Sequence, residues 1–196
     1  MSRRVVAYEW MSLDGVIQAP SAADEDRDDG FAHGGWHPRF FDDRSRQWVI
    51  DGVRQAGGFL FGRRTYDIFA AHWPHATGPE AVLAEPLNRK PKYVASRTLT
   101  EPARWAGTEV LDGDAVRAVA ALKDTVGGDL HLIGSAALAR TLVAENLIDE
   151  FQLMIDPVLL GSGKRLFPDD GALRCFSLAG SRATATGALL VSYRLI

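Results

Sequence analysis

Three short stretches bring together residue types that can hold an anion. Gly62-Arg63-Arg64-Thr65 follows the apolar triplet Phe59-Leu60-Phe61 and precedes Tyr66, Ile68 and Phe69, so a strand gives way to a glycine, a basic pair and a helix start capped by Thr65. Gly134-Ser135-Ala136-Ala137 stands between the strand-like Leu130 to Ile133 and a helix bearing Leu138 and Leu142. At both junctions the free N–H groups of a helix start can bind phosphate oxygens, and the small residues permit close approach. Ser96-Arg97-Thr98, after the strand-like Tyr93 to Ser96, adds two hydroxyls and a guanidinium. Together the three suit a pyrophosphate and a further phosphate, the anions of a phosphorylated dinucleotide. A glycine after a strand is also a common turn and an Arg pair is commonly only solvated, so the weight lies in the recurrence at three junctions.

Other chemistry-bearing patterns fail on spacing. Gly161-Ser162-Gly163-Lys164-Arg165 imitates a phosphate-binding P-loop, but Val158 stands where its first glycine belongs and Arg165 where the magnesium-binding hydroxyl belongs. No GxGxxG follows the first strand, and neither GxSxG nor HExxH occurs. The histidine pairs His33/His37 and His72/His75 lack metal-ligand spacing with other donors. Asp24-Glu25-Asp26-Arg27-Asp28-Asp29 reads as a solvated loop without the glycine and terminal glutamate of a calcium loop.

The elements that must position these residues follow from periodicity. Val5 to Trp10 reads as a strand closing on Ser12-Leu13-Asp14-Gly15, and Phe40 to Ala56 as a helix with Phe41, Trp48, Val49 and Val53 at helical intervals. Pro74, Pro79, Pro86 and Pro91 make the stretch from Trp73 to Pro91 mostly loop. Val110-Leu111 suggests a strand, Asp114 caps a helix carrying Val116, Val119, Leu122 and Val126, and Gly127-Gly128 ends it. Phe151, Leu153 and Ile155 alternate as in a strand, and Cys175 to Ala183 with Ala188 to Ile196 form a hairpin. About eight strands interleaved with about four helices describe an α/β domain with a mixed, mainly parallel sheet. In such sheets ligands sit beyond the carboxyl ends of the strands, where all three anion-binding stretches fall.

Composition narrows the class further. The 196 residues carry 22 basic and 25 acidic side chains, a net charge of −3, and 46% are hydrophobic, as in an ordinary globular chain. No basic block supports a nucleic-acid or anionic-membrane partner. One cysteine, Cys175 beside Phe176, excludes an internal disulfide and reads as a buried thiol in a reducing cytoplasm. The N-terminal apolar run is interrupted at Glu9, too early for a signal segment. No linker divides the chain, so residues 1–196 read as a single domain.

In order along the chain, Met11-Ser12-Leu13-Asp14-Gly15, Phe61-Gly62-Arg63-Arg64-Thr65-Tyr66, Ser96-Arg97-Thr98, Ile133-Gly134-Ser135 and Asp149-Glu150 leading to Ile155-Asp156-Pro157-Val158-Leu159-Leu160-Gly161-Ser162-Gly163 resemble the dihydrofolate reductase-like family, specifically the reductase domain of the riboflavin-biosynthesis deaminase-reductase. The resemblance runs from Val5 to Arg194. It implies a three-layer fold with an eight-stranded sheet ending in an antiparallel hairpin, NADPH as hydride donor and a pterin or substituted pyrimidine as substrate. By position, Gly62, Arg63, Arg64, Thr65, Ser96, Arg97, Gly134, Ser135 and Ala136 would bind the cofactor, and the loop with Leu13, Gly15 and Ile17 would lie over the nicotinamide. The single cysteine cannot supply the zinc signature of the deaminase half. The family's substrate-facing acid belongs near Arg46 to Trp48, where this chain has no carboxylate; Asp14 and Asp51 are the candidate acids, with Asp42 and Asp43 close to the latter.

The reading is an NADPH-dependent reductase of a small nitrogen heterocycle or related C=N compound. Its rivals are a nucleotide-binding or regulatory module of the same fold that has lost catalysis, and a structural homodimer with remnant phosphate sites. A homodimer is expected in any case, because Leu189, Leu190, Val191, Leu195 and Ile196 place apolar residues on both faces of a terminal strand.

Overall fold

A computed structural model describes residues 2–99 and 104–196. Eight strands form one sheet in the order β4-β3-β2-β5-β1-β6-β8-β7: β1 (Val5–Ser12), β2 (Gly58–Gly62), β3 (Lys92–Ala95), β4 (Thr108–Leu111), β5 (Leu130–Ile133), β6 (Glu150–Asp156), β7 (Phe176–Ala183) and β8 (Leu189–Leu195). The first six run parallel, and β8 is antiparallel to both β6 and β7. β1 lies between β5 and β6 and is covered on both sides, which is why Val5, Val6, Ala7 and Tyr8 form an unbroken apolar run.

Five α-helices complete three layers: α1 (Asp43–Gln55), α2 (Arg63–His72), α3 (Ala81–Arg89), α4 (Ala115–Lys123) and α5 (Ala136–Ala144). On one face, Val119 and Leu122 of α4 and Leu138, Ala139 and Leu142 of α5 pack on Val5, Ala7, Leu60, Leu130 and Leu132. On the other, Val53 of α1, Tyr66 of α2 and Leu87 of α3 pack on Phe59, Phe61 and Val94 with Trp105. The Tyr8 ring presses on α1 at Gly52, where an added Cβ would come within 2.5 Å of it.

Several expectations need correction. The proline-rich stretch is not mostly loop, since α3 forms with Pro86 inside it. Tertiary contacts override the proline: Lys92 Nζ donates to the carbonyls of Leu87 (3.2 Å) and Asn88 (2.9 Å), and Asn88 bridges the Trp73 carbonyl and Trp105 Nε1. The helices therefore number five among the described residues, not about four. Helix α1 begins only at Asp43, because Asp42 and Ser45 close a reciprocal cap there. Gly62, not Thr65, occupies the capping position of α2. Helix α4 stops at Lys123, before Gly127, leaving Val126 exposed. Cys175 is exposed rather than buried, as it lies just before the edge strand β7. Strand β6 hides residues of both faces, Met154 as well as Leu153, because helices cover the sheet on both sides.

Among the described residues no helix is long and apolar enough to cross a membrane. His131 on β5 is buried against the Tyr8 ring at 5.5 Å, and that burial pushes its pKa from 6.5 down to about 4, against the opposing pull of Asp129. The unfolded chain takes up this proton near pH 6.5 and the folded chain near 4. The stability linked to neutral His131 is thus complete above pH 6.5 and is lost as pH falls toward 4, on the order of 3 kcal/mol. His131→Phe should flatten this part of the acid limb in denaturant titrations from pH 7 to 4; an unchanged slope would exclude His131 as its source.

Candidate active site at the carboxyl edge of the sheet

Because β2 lies between β3 and β5, the chain leaves the sheet at Gly62, Ala95 and Ile133 side by side. The turn after β5 is left-handed at two successive residues, Gly134 (φ 56°) and Ser135 (φ 60°). A side chain at Gly134 would also meet Thr65 at 3.2 Å, so glycine is required there on both counts. The turn is pinned by cross-strand hydrogen bonds: Gly62 N–H donates to Ser135 Oγ (2.8 Å), Ser135 N–H to Thr65 Oγ1 (2.9 Å) and Gly134 N–H to Glu9 Oε2 (3.0 Å).

Gly62, Thr65, Gly134 and Ser135 are thus brought together, but their polar groups face one another. The N–H groups of Gly134 and Ser135, expected to point at phosphate, are engaged within the protein. The donors left for an anion are those of the first turn of α5 from Ala136 onward, which have no partner within the helix.

The three arginines differ in the same way. Arg63 pairs with Asp67 one turn along α2 at 2.7 Å. Arg64 reaches Asp26 at 2.9 Å and also pairs with Asp28, and Lys164 joins both carboxylates at 2.6 and 2.8 Å. The acidic stretch read as a solvated loop is therefore strapped to the start of α2 and to the segment after β6, and the two cations hold the Asp28 carboxyl down to about 2. Arg97 is exposed and makes no ion pair among the described residues. With Ala95 and Ser96 it lines a cleft of about 280 Å³ whose far wall is Gly113 to Val116 and Thr141. Asp114 in that wall is committed to capping α4, accepting from Arg117 N–H at 2.9 Å.

The loop after β1 is held on both sides. Leu13 N–H donates to the Val158 carbonyl (2.9 Å), Ile17 N–H to Lys164 (2.9 Å), and the Gly15 carbonyl accepts from Leu166 N–H (2.9 Å). Ile17 is buried whereas Leu13 projects outward. Asp14 accepts from Ser12 Oγ (2.7 Å) and from the N–H groups of Leu160 (3.1 Å) and Gly161 (2.8 Å). Burial works against its ionisation, but these bonds prevail and hold the carboxyl below its usual range, so Asp14 braces the loop as an anion. Asp51 lies about two turns into α1, bonded to Gln47 at 2.8 Å, and lines a separate cleft of about 250 Å³ between α1 and the β7–β8 hairpin with Arg44, Trp48 and Arg182. The structure does not bring Asp51 to the junctions of β2, β3 and β5.

Two acids not singled out as candidates stand at this edge. Glu9 is buried on β1; burial drives its pKa well above the carboxylate range, against the Gly134 hydrogen bond, and its Oε1 has no partner among the described residues. Asp156 ends β6, buried, and its Oδ2 meets His37 Nδ1 at 2.8 Å. Burial raises the Asp156 pKa while His37 pulls it back. Both acids carried a sequence signal: Glu9 interrupts an apolar run, and Asp156 closes an alternating one. His37 carried none, because its partner is 119 positions away. On the same face as His37, Trp48 stacks on Tyr8 at 4.0 Å and receives the Tyr8 hydroxyl on its carbonyl at 2.6 Å.

A three-layer α/β sheet with glycine turns, a basic rim and a braced loop at one carboxyl edge defines a protein of the dihydrofolate reductase-like fold. The chain belongs to the RibD C-terminal domain family, whose model matches residues 3–190. It is 29% identical over 197 residues to the uncharacterized protein YyaP of Bacillus subtilis, covering 97% of this chain and 94% of that one. Among solved structures, a putative riboflavin biosynthesis protein from Shewanella sp. PV-4 superimposes with a TM-score of 0.68 at 22% identity, over 100% of this chain and 99% of that one. A pyrimidine reductase-like protein from Corynebacterium diphtheriae gives 0.61 at 13% identity over 99% and 92%. Acinetobacter baumannii RibD gives 0.64 at 16% identity over 100% of this chain and 58% of that one.

The raised pKa of Glu9 has a definite sign for stability. Its contribution is complete below the unfolded value of 4.5 and is lost as pH rises toward the folded value. Glu9→Gln, whose amide oxygen can still accept from Gly134 N–H, should gain stability relative to wild type more at pH 8 than at pH 5. Glu9→Leu should lose about 1–3 kcal/mol by orphaning that N–H. Equal effects of Gln and Leu in denaturant titrations would reject the hydrogen-bonding role.

Proposed function

We propose that the protein is an NADPH-dependent reductase of a small nitrogen heterocycle, a pterin or substituted aminopyrimidine, or of a related C=N compound. The observation that carries this reading is the alignment of the β2, β3 and β5 exits on one edge, with Arg97, which has no ion pair among the described residues, lining the Ser96 cleft. The residues fit a dinucleotide phosphate: an exposed guanidinium, the Ser96 hydroxyl, and the open first turn of α5. A bound reduced nicotinamide supplies the hydride. The protein's share is to bind the phosphates and to hold the Leu13–Ile17 loop, which Asp14 braces, in place for the reacting groups. Trp48, standing where the family resemblance places an acid, favours a second reading, a nucleotide-binding module without chemistry. Oxidation of NADPH with a panel of pterins and pyrimidines separates the two.

With Arg63 and Arg64 already paired to carboxylates, discrimination for the 2′-phosphate falls on Arg97. A charge-assisted contact of about 1.5–3 kcal/mol should favour NADPH over NADH roughly tenfold or more. Arg97→Ala should narrow that ratio with NADH binding nearly unchanged, whereas Arg64→Ala should affect it less. Fluorescence titration yielding equal dissociation constants for the two cofactors in the wild type would reject the assignment.

The hairpin supports a homodimer. Strand β7 is an edge strand exposed along nearly its whole length, and Leu173, Leu178, Leu189 and Ile196 add exposed apolar surface around it. Pairing of two such edges about a twofold axis would bury more than roughly 1,000 Å². Light scattering at low micromolar concentration should give twice the 21.4 kDa chain mass; a monomer mass would remove this claim alone.

A further inference from the structure

The acidic loop before α1 is bound firmly on one side and lightly on the other. Gln18 is the hub of the firm side: its Nε2 donates to the carbonyls of Asp26 and Asp28, each at 3.3 Å, its Oε1 accepts from Lys164 N–H at 2.9 Å, and its carbonyl accepts from Trp36 Nε1 at 2.8 Å. Phe31 and Trp36 pack with Val16 and Ala19, and Lys164 Nζ reaches both carboxylates. The acidic loop, the Leu13–Ile17 loop and the segment after β6 therefore form one packed unit. Its joint to α2 is of another kind. Among the described residues, every hydrogen bond and ion pair between that unit and α2 runs through Arg64, to Asp26 at 2.9 Å and to Asp28. One half-exposed guanidinium thus latches the unit to the helix. Exposed ion pairs contribute little singly, so this joint can part at small cost while the packing behind it stays intact.

Strand β5 lies between β2 and β1, so a link from the start of α2 to the loop after β1 passes the Gly134–Ser135 turn. Thr65, next to Arg64, accepts from Ser135 N–H and holds the start of α2 against that turn. A dinucleotide reaching from the Ser96 cleft to the Leu13–Ile17 loop crosses the same two exits, those of β2 and β5. The span of the latch and the path of the ligand coincide. We infer that the contact of Arg64 with Asp26 and Asp28 is a gate on cofactor exchange, which parts to admit or release the dinucleotide. This rests on the reductase reading. Arg64 and Lys164 offset Asp26 and Asp28, so the latch carries no net charge and neither draws nor repels a phosphate at a distance. It acts on the barrier to passage. A latch equally strong with and without ligand slows entry and release by the same factor and leaves the affinity unchanged.

Stopped-flow fluorescence of the full-length protein with NADPH reads both rates. Asp26→Asn combined with Asp28→Asn preserves the side-chain shapes and an acceptor for the Asp28 N–H, but removes the charge that holds Arg64. The association and dissociation rate constants should both rise, by about fivefold, with the dissociation constant within about twofold of wild type. Arg64→Gln removes charge of the opposite sign. If electrostatic steering of the anionic ligand were the cause, this variant would slow association where the double variant speeds it. A gate requires both variants to speed association and release alike. Unchanged rates in both variants, the result of a merely structural tie, overturn the gate, as do opposite changes in association. An affinity lost in Arg64→Gln through faster release alone makes Arg64 a phosphate ligand and overturns the gate as well. Each of these outcomes leaves NADPH binding to the wild type in place. Failure of the wild type to bind NADPH overturns the reductase reading, and the gate with it.

Discussion

The hydrogen bond from Gly134 N–H to the buried Glu9 carboxyl holds the working edge of the sheet together. It joins the central strand β1 to the turn after β5, and through Ser135, Thr65 and Gly62 the tie extends to β2. A carboxyl at this depth is expensive to ionise, so its value lies in geometry: it fixes a doubly left-handed turn that a chain of L residues would otherwise avoid. The first turn of α5 inherits its direction from that turn, and with it the direction in which the remaining N–H groups face.

Charge is distributed around this frame so that few cations remain available. Arg63 answers Asp67, and Arg64 and Lys164 answer Asp26 and Asp28. These contacts are at the surface and contribute little to stability singly. Their consequence is to tie the acidic loop, the start of α2 and the segment after β6 into one rim. Arg97, which joins no ion pair among the described residues, lines the Ser96 cleft, so the proposed anion-binding role falls on one guanidinium.

Much of the architecture was legible because it rests on local pattern. Leu130 to Ile133, the terminal hairpin, the Asp114 cap and the glycine turns all follow from periodicity, turn chemistry or capping geometry read within a few residues. Helix α3 was illegible because a proline argues against it and its support comes from Lys92 and Asn88, beyond any local window. The candidate anion-binding residues were read as a set, yet the pairing that sets Arg64 apart from Arg97 depends on a loop some forty positions upstream, while that of Arg63 with Asp67 is local to α2. The pairing of His37 with Asp156 was illegible for the same reason: a polar contact made across 119 positions leaves no spacing to read.

The buried His37–Asp156 pair lies on the α1 side of the sheet, where Trp10 stacks on the imidazole and Trp48 stacks on Tyr8. Burial pushes the Asp156 carboxyl up and the imidazole pulls it back, so a carboxyl at this depth is held by a partner. Glu9 points to the opposite side of the sheet, with only the Gly134 N–H to oppose its burial, and is driven well above the carboxylate range. The two buried acids of this edge thus differ in ionisation because they differ in partners.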